Sequence, residues 1–203
     1  MAMLPKNAIY HLVNFCLRSA QPEFFRRIQI VGQPLDDPDQ HLMVVANHPY
    51  GIQDAFLVSL AYTRPFYFVA TAMNFQTRQG DTIRKRRFSS WILSQCKVLP
   101  IVRDRSEGHL SENVKTFQAA ADHIAGGYAL GIFAEGDSRG NQWKLLKLKS
   151  GAAQIAIQVA DILNARNMQL KIQVIGLTYT NWDKPFKSSV TLKFAKPLAV
   201  EPV

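Results

Sequence analysis

Leu42-Met43-Val44-Val45-Ala46-Asn47-His48-Pro49-Tyr50-Gly51-Ile52-Gln53-Asp54 is the stretch from which the rest of the chain can be read. Its first five residues form an apolar, branched run of the length of a buried strand, and Ala55-Phe56-Leu57-Val58-Ser59-Leu60 beyond it has helical spacing. Pro49 and Gly51 put a turn between the two. The turn also carries chemistry. His48 lies on it, and Asp54 falls at or near the helix start, where the helix dipole favours a carboxylate. One short segment thus supplies a base and a partner to orient it.

The same alternation extends along the chain. Ile28 to Val31 reads as a first strand closed by Gly32, and Phe66-Tyr67-Phe68-Val69-Ala70 as a buried strand after the Arg64-Pro65 break. Val98 to Val102, Tyr128 to Ala134 and Lys171 to Thr178 follow as strands, and Ser189 to Phe194 alternates as an outer strand. Between them, Ser111 to Ala125 is an amphipathic helix with Val114, Phe117, Ala121 and Ile124 on one side, stopped by Gly126-Gly127. Trp91-Ile92-Leu93 reads as helical, and Gly151 to Leu163, rich in Ala and Ile, as a buried helix. The pattern predicts an α/β fold with a mixed, largely parallel central sheet flanked by helices. Ahead of it, Ile9, Leu12, Val13, Cys16 and Leu17 make the stripe of an N-terminal amphipathic helix, followed by Phe24 and Phe25 among Arg18, Arg26 and Arg27. That helix suits packing on the domain, and it equally suits lying on anionic lipid.

Composition narrows the partners. With 203 residues, 47% hydrophobic and 19% charged, the chain suits one globular domain with a substantial core. A net charge of +9 favours an acidic partner: nucleic acid, an anionic membrane surface or a phosphorylated substrate. The aromatic residues sit in apolar runs rather than among Arg and Lys, which argues against nucleic acid. Arg84-Lys85-Arg86-Arg87 fits a solvated face or a contact with lipid phosphates or an acidic acyl carrier. Cys16 and Cys96, far apart and in apolar contexts, are expected to be buried free thiols in a reducing compartment. No apolar run approaches the ~18–20 residues that span a bilayer, and no signal-peptide pattern opens the chain, so a cytoplasmic protein is expected.

Three strand ends then present His48 with Asp54, Arg103, and Glu135-Gly136. In open α/β sheets such ends line the ligand crevice. A neutral histidine takes a proton from an alcohol, and a carboxylate on its other nitrogen fixes the tautomer. Arg103 suits an anion there, or a surface pairing with Asp104 and Glu107. The combination points to transfer onto the hydroxyl of a phosphate-bearing substrate. Other chemistries lack their residues. Gly-x-Ser-x-Gly, the Walker A motif and the dinucleotide-binding glycines are absent, and His11, His41, His109 and His123 show no metal-ligand spacing. Gly136-Asp137-Ser138 matches the opening of another esterase type, but that type needs a later histidine and the last one here is His123.

Asn47-His48 through Asp54, Val98 to Arg103, Phe133-Ala134-Glu135-Gly136 and Val174 to Tyr179 stand in the order of four motif blocks. Together they resemble the glycerophosphate and lysophospholipid acyltransferase superfamily over nearly the whole chain. Lys147 to Ala153 and Phe186 to Pro197 look like its closing segments. The resemblance implies an O-acyltransferase with His48 as general base and Asp54 as its partner. It implies that Arg103, Glu135, Gly136, Ser138 and Arg139 bind the acceptor phosphate, and that acyl-CoA or acyl carrier protein is the donor, with no metal, no other cofactor and no covalent acyl-enzyme. The acceptor would be a phosphorylated glycerol or a lysophospholipid, and the protein peripheral on the inner membrane face. Residues 1–27 would then be a membrane-associating segment and 28–203 the acyltransferase domain. The chain departs from the common pattern in having five residues between His48 and Asp54, which resembles the branch acting on glycerol 3-phosphate or dihydroxyacetone phosphate. Ala134 stands where a proline is usual before Glu135, Ser138 where an arginine often follows, with Arg139 one place later, and Ile175-Gly176 where the fourth block usually has its proline. A catalytically inactive lipid- or acyl-carrier-binding protein of the same fold is the alternative.

Overall fold

The central strand β2 (His41–Ala46) explains how the domain holds two cores. A computed structural model of the chain describes residues 25–71, 98–101, 110–136, 144–181 and 188–201, together with Phe15, Cys16, Arg18, Ser19 and Glu23. Side chains alternate across a strand, so Leu42, Val44 and Ala46 enter one core and Met43 the other. The first core lies under α1 (Ile52–Leu60), which contributes Leu57 and Val58. The second lies under α2 (Leu110–Ala125) and α3 (Gly151–Asn164), which contribute Ala120, Ala121, Ile124, Ile155, Val159 and Leu163. A strand apolar on both faces is what helices on both sides of a parallel sheet require.

The remaining strands are β1 (Phe25–Val31), β3 (Phe66–Thr71), β4 (Val98–Ile101), β5 (Ala129–Phe133), β6 (Leu170–Thr180), β7 (Ser188–Phe194) and β8 (Leu198–Ala199). They join in the order β1-β7-β6-β2-β5-β3-β4, with β8 paired to β6. β6 runs antiparallel to β7 and β8, and every other pair is parallel. The expected mixed, largely parallel sheet with flanking helices is therefore present. Among the described strands β4, which contains Pro100, stands at the end of the sheet, a position where proline is tolerated.

Several boundaries and environments differ from expectation. β7 is not an outer strand: β1, which begins at Phe25 rather than Ile28, pairs in parallel along its far side. Its clean alternation reflects burial of one face, not a position at the edge. Val114 is exposed, and among the described side chains of α2 those that meet the core are Phe117, Ala120, Ala121, Ile124 and Ala125. Cys16 is exposed rather than buried, alongside equally exposed Phe15, Arg18 and Ser19 in helical backbone. Arg18 ties that segment to the domain by donating to the Tyr62 carbonyl at 3.2 Å. The rest of the proposed N-terminal helix, Cys96, Trp91-Ile92-Leu93 and the Arg84–Arg87 run lie outside the described residues.

One polar side chain is fully enclosed in the first core. Gln173 on β6 is 0% exposed. Its Oε1 accepts from the Leu35 amide and the Tyr62 hydroxyl, each at 2.8 Å, and its Nε2 donates to the carbonyls of Gln33 at 2.8 Å and Ala195 at 3.0 Å. That uses the full hydrogen-bonding capacity of a glutamine. The side chain thereby fastens the β1–β2 loop and the residue after β7 to the middle of the sheet.

Candidate active site

Register decides what meets at the C-terminal end of the parallel strands. Ala46 of β2 pairs with Phe133 of β5 on one side and Ile175 of β6 on the other. Two residues past Ala46 and Phe133 stand His48 and Glu135, so those two loops leave the sheet side by side. The Ala134 amide still donates to the Ala46 carbonyl at 3.1 Å. On the other side, Asn47 acts through its side-chain amide like one more strand residue. Its Oδ1 accepts the Leu177 N–H at 2.6 Å and its Nδ2 donates to the Leu177 carbonyl at 2.9 Å. The chain is thus held to both neighbours at the point where His48 begins.

His48 and Asp54 are brought together by the turn into α1. Gly51, at φ 91°, occupies a backbone conformation that disfavours a side chain and starts the helix. Asp54 then sits in the first turn, buried at 0% exposure. Its Oδ2 accepts from His48 Nδ1 at 2.9 Å, the Tyr50 amide at 2.9 Å and the Gly51 amide at 3.0 Å. Its Oδ1 accepts the Tyr179 hydroxyl at 2.5 Å. A carboxylate has only acceptors, so Nδ1 is assigned the histidine proton and Nε2 carries the lone pair. Burial, and then the charge of Asp54, push the Tyr179 phenol well above its ordinary value, so Tyr179 remains a donor. The imidazole keeps 19% side-chain exposure and stacks on Phe133 with ring centroids 4.0 Å apart. Phe133 in turn stacks on Phe68 at 5.9 Å. Room for the Phe68 ring comes from Gly131, where a Cβ would stand 2.4 Å from it.

Glu135 is enclosed at 2% exposure. Its Oε1 accepts the His48 amide at 2.8 Å and its Oε2 the Leu146 amide at 2.9 Å. Both oxygens are thus engaged by main-chain amides of two different loops, which the carboxylate ties together. Gly136 follows at φ 64°, turning the chain away from β5. Arg103, Ser138 and Arg139 lie outside the described residues, although β4, from which Arg103 follows by two residues, ends at the same end of the sheet. Among the described residues, no group of three or more His, Cys, Asp or Glu is placed to hold a metal ion.

Sequence reasoning brought out His48 and Asp54, which the structure joins directly. It missed Tyr179 as a partner of Asp54, Asn47 as the side chain that closes the sheet, and the Leu146 amide as the second ligand of Glu135. Tyr179 lies in the fourth block, yet no local pattern marks it. Only the pairing of Ala46 with Ile175 carries it to Asp54.

The arrangement is a histidine with an assigned tautomer beside a buried carboxylate at the mouth of an α/β sheet. No curated protein matches the chain. Among solved structures, the 1-acyl-sn-glycerophosphate acyltransferase PlsC from Thermotoga maritima shares its fold, with a TM-score of 0.56 and 16% sequence identity over 94% of this chain and 68% of that one. The sequence profile of the family described as Acyltransferase matches residues 21–179, more than half of the chain. The chain therefore belongs to the acyltransferase family, the glycerophosphate and lysophospholipid superfamily that its four sequence blocks resemble.

Proposed function

We propose that the protein moves a fatty acyl group from an acyl thioester, acyl-CoA or acyl carrier protein, to the hydroxyl of a glycerophosphate or lysophospholipid during phospholipid synthesis. The observation that carries this reading is the 2.9 Å contact of His48 Nδ1 with a buried Asp54 that is itself held by three further donors. It leaves Nε2 as the basic nitrogen. In the proposed reaction, Nε2 takes the proton from the acceptor hydroxyl as its oxygen attacks the thioester carbonyl. The tetrahedral intermediate collapses by breaking the C–S bond, and the leaving thiolate receives that proton from the imidazolium. Asp54 stabilises the imidazolium and does not itself take the proton. Arg103 and the Glu135-Gly136 loop, with Ser138 and Arg139, are proposed to hold the acceptor phosphate on the strength of the family resemblance. The five-residue spacing favours glycerol 3-phosphate or dihydroxyacetone phosphate as acceptor over lysophosphatidate. A peripheral position on the inner membrane face fits such substrates, and no helix among the described residues is long and apolar enough to cross a membrane.

Thiol release from acyl-CoA and acyl carrier protein, assayed against phosphorylated glycerols and lysophospholipids, tests the proposal. His48→Ala is expected to reduce it by about 10²–10⁴-fold, the usual contribution of a general base. Turnover by that variant at the wild-type rate overturns the mechanism. Binding of acceptor or donor with no thiol release by the wild type would establish the catalytically inactive alternative.

A further inference from the structure

Leu145 and Leu148 are 67% and 61% exposed, among the most exposed large apolar side chains of the described structure. They stand in Lys144-Leu145-Leu146-Lys147-Leu148-Lys149, the loop that leads into α3, and all three lysines are exposed as well. The loop is held firmly to the site. The Leu146 amide donates to Glu135 and the Lys149 amide to the Ala134 carbonyl at 2.9 Å. Because Glu135 also accepts the His48 amide, a single carboxylate lies between this loop and the catalytic histidine.

Two aliphatic side chains held out in water between three cations are poorly served by solvent alone. Their alternation fits a layered partner, anionic on the outside and apolar beneath. Lysine stems follow apolar groups inward while their heads stay at phosphates. Charge complementarity extends past the loop: no Asp or Glu occurs from Ser138 to Ala160, and the positive end of the α3 dipole lies at Gly151.

We propose that Lys144–Lys149 is the loop by which the protein docks on an anionic lipid surface, with Leu145 and Leu148 entering the acyl boundary and Lys144, Lys147 and Lys149 at headgroup phosphates. It rests on the acyltransferase reading in one respect, that docking here presents His48 at the surface where lipid acceptors and products reside.

Cosedimentation of the full chain with phosphatidylcholine vesicles, with and without phosphatidylglycerol, tests it. The triple variant Lys144→Gln/Lys147→Gln/Lys149→Gln is expected to lower partitioning onto anionic vesicles on the order of 100-fold and to lose most of the salt dependence. Leu145→Ser/Leu148→Ser is expected to lower partitioning at every salt concentration. Both sets are exposed, so thermal unfolding at the wild-type temperature verifies that the fold is kept. Wild-type partitioning by either variant overturns the proposal, as does loss of binding to an acidic acyl carrier protein with vesicle binding intact. His48→Ala keeps the loop and is expected to sediment like the wild type, so the docking and the acyl-transfer readings fail on different variants.

Discussion

Tyr179 donates its hydroxyl to the Asp54 carboxylate at 2.5 Å, joining the end of the longest strand to the first turn of α1 across 125 positions of sequence. Its hydroxyl meets Oδ1, while Oδ2 receives three other donors. Tyr179→Phe keeps the ring, which lies 5.4 Å from that of Tyr50, and removes one hydrogen bond to a charged group. Such bonds contribute about 1.5–3 kcal/mol. Acyl transfer is therefore expected to fall by roughly 10–100-fold in kcat, with KM for the acceptor little changed, because the phenol acts through Asp54 and not on substrate. Unchanged turnover in the variant would show that Tyr179 has no part in positioning the pair.

Glu135→Gln separates a positioning role from a direct hold on phosphate. A glutamine accepts one of the two amides and meets the other with its own NH₂, so one buried N–H loses its partner. The expected loss of stability is about 1–3 kcal/mol, read as a lower unfolding temperature, together with a reduced kcat. A raised KM for the phosphorylated acceptor with unchanged stability would instead mark Glu135 as a ligand of the anion.

Alkaline pH offers a test of the buried phenols. Burial raises Tyr62 and Tyr179 above the ordinary phenol value of 10.0, so the folded protein keeps both protons while the unfolded chain begins to release them. The unfolded state then binds fewer protons, and stability falls as pH rises past about 10. Each phenol contributes at most about 1.4 kcal/mol per pH unit in that range. Thermal unfolding followed from pH 8 to pH 11 should show a shallower alkaline decline in Tyr179→Phe than in the wild type; identical profiles would contradict the assignment.

Gly131→Ala tests the ring stack that supports His48. The added Cβ would meet the Phe68 ring at 2.4 Å, so that ring must shift and its stack on Phe133 is disturbed. Overpacking of this kind costs about 1–3 kcal/mol. Activity is expected to drop along with stability, since Phe133 is the ring on which His48 rests. A normal unfolding temperature would show that the Phe68 ring is loosely held.

The His48–Asp54 pair was legible in the sequence because only five residues separate the two and a single turn brings them together. The strands β2, β3 and β5 were legible for a related reason, since double-sided burial gives continuous apolar runs. Position within the sheet was not. β7 alternates as an edge strand would, and only β1 on its far side makes it interior. β8 is two residues long and carries no pattern. Exposure of Cys16 and Val114 also escaped the reading, because helical spacing places residues on a stripe without saying how far the stripe is covered. The two amides that meet Glu135, those of His48 and Leu146, were not legible, because each lies in a different loop brought in by the sheet.

The ties that complete the site span long stretches of chain: His48 to Glu135 over 87 positions, Asp54 to Tyr179 over 125, and Asn47 to Leu177 over 130. Contacts of such separation close large loops and form slowly compared with a helix or a hairpin. During synthesis, the histidine and its aspartate emerge early, but the hydroxyl that secures the aspartate comes more than a hundred residues later. A nascent chain that has not yet reached β6 therefore carries the His48–Asp54 pair without the scaffold that fixes it, and the proposed site is complete only when β6 has joined the sheet beside β2.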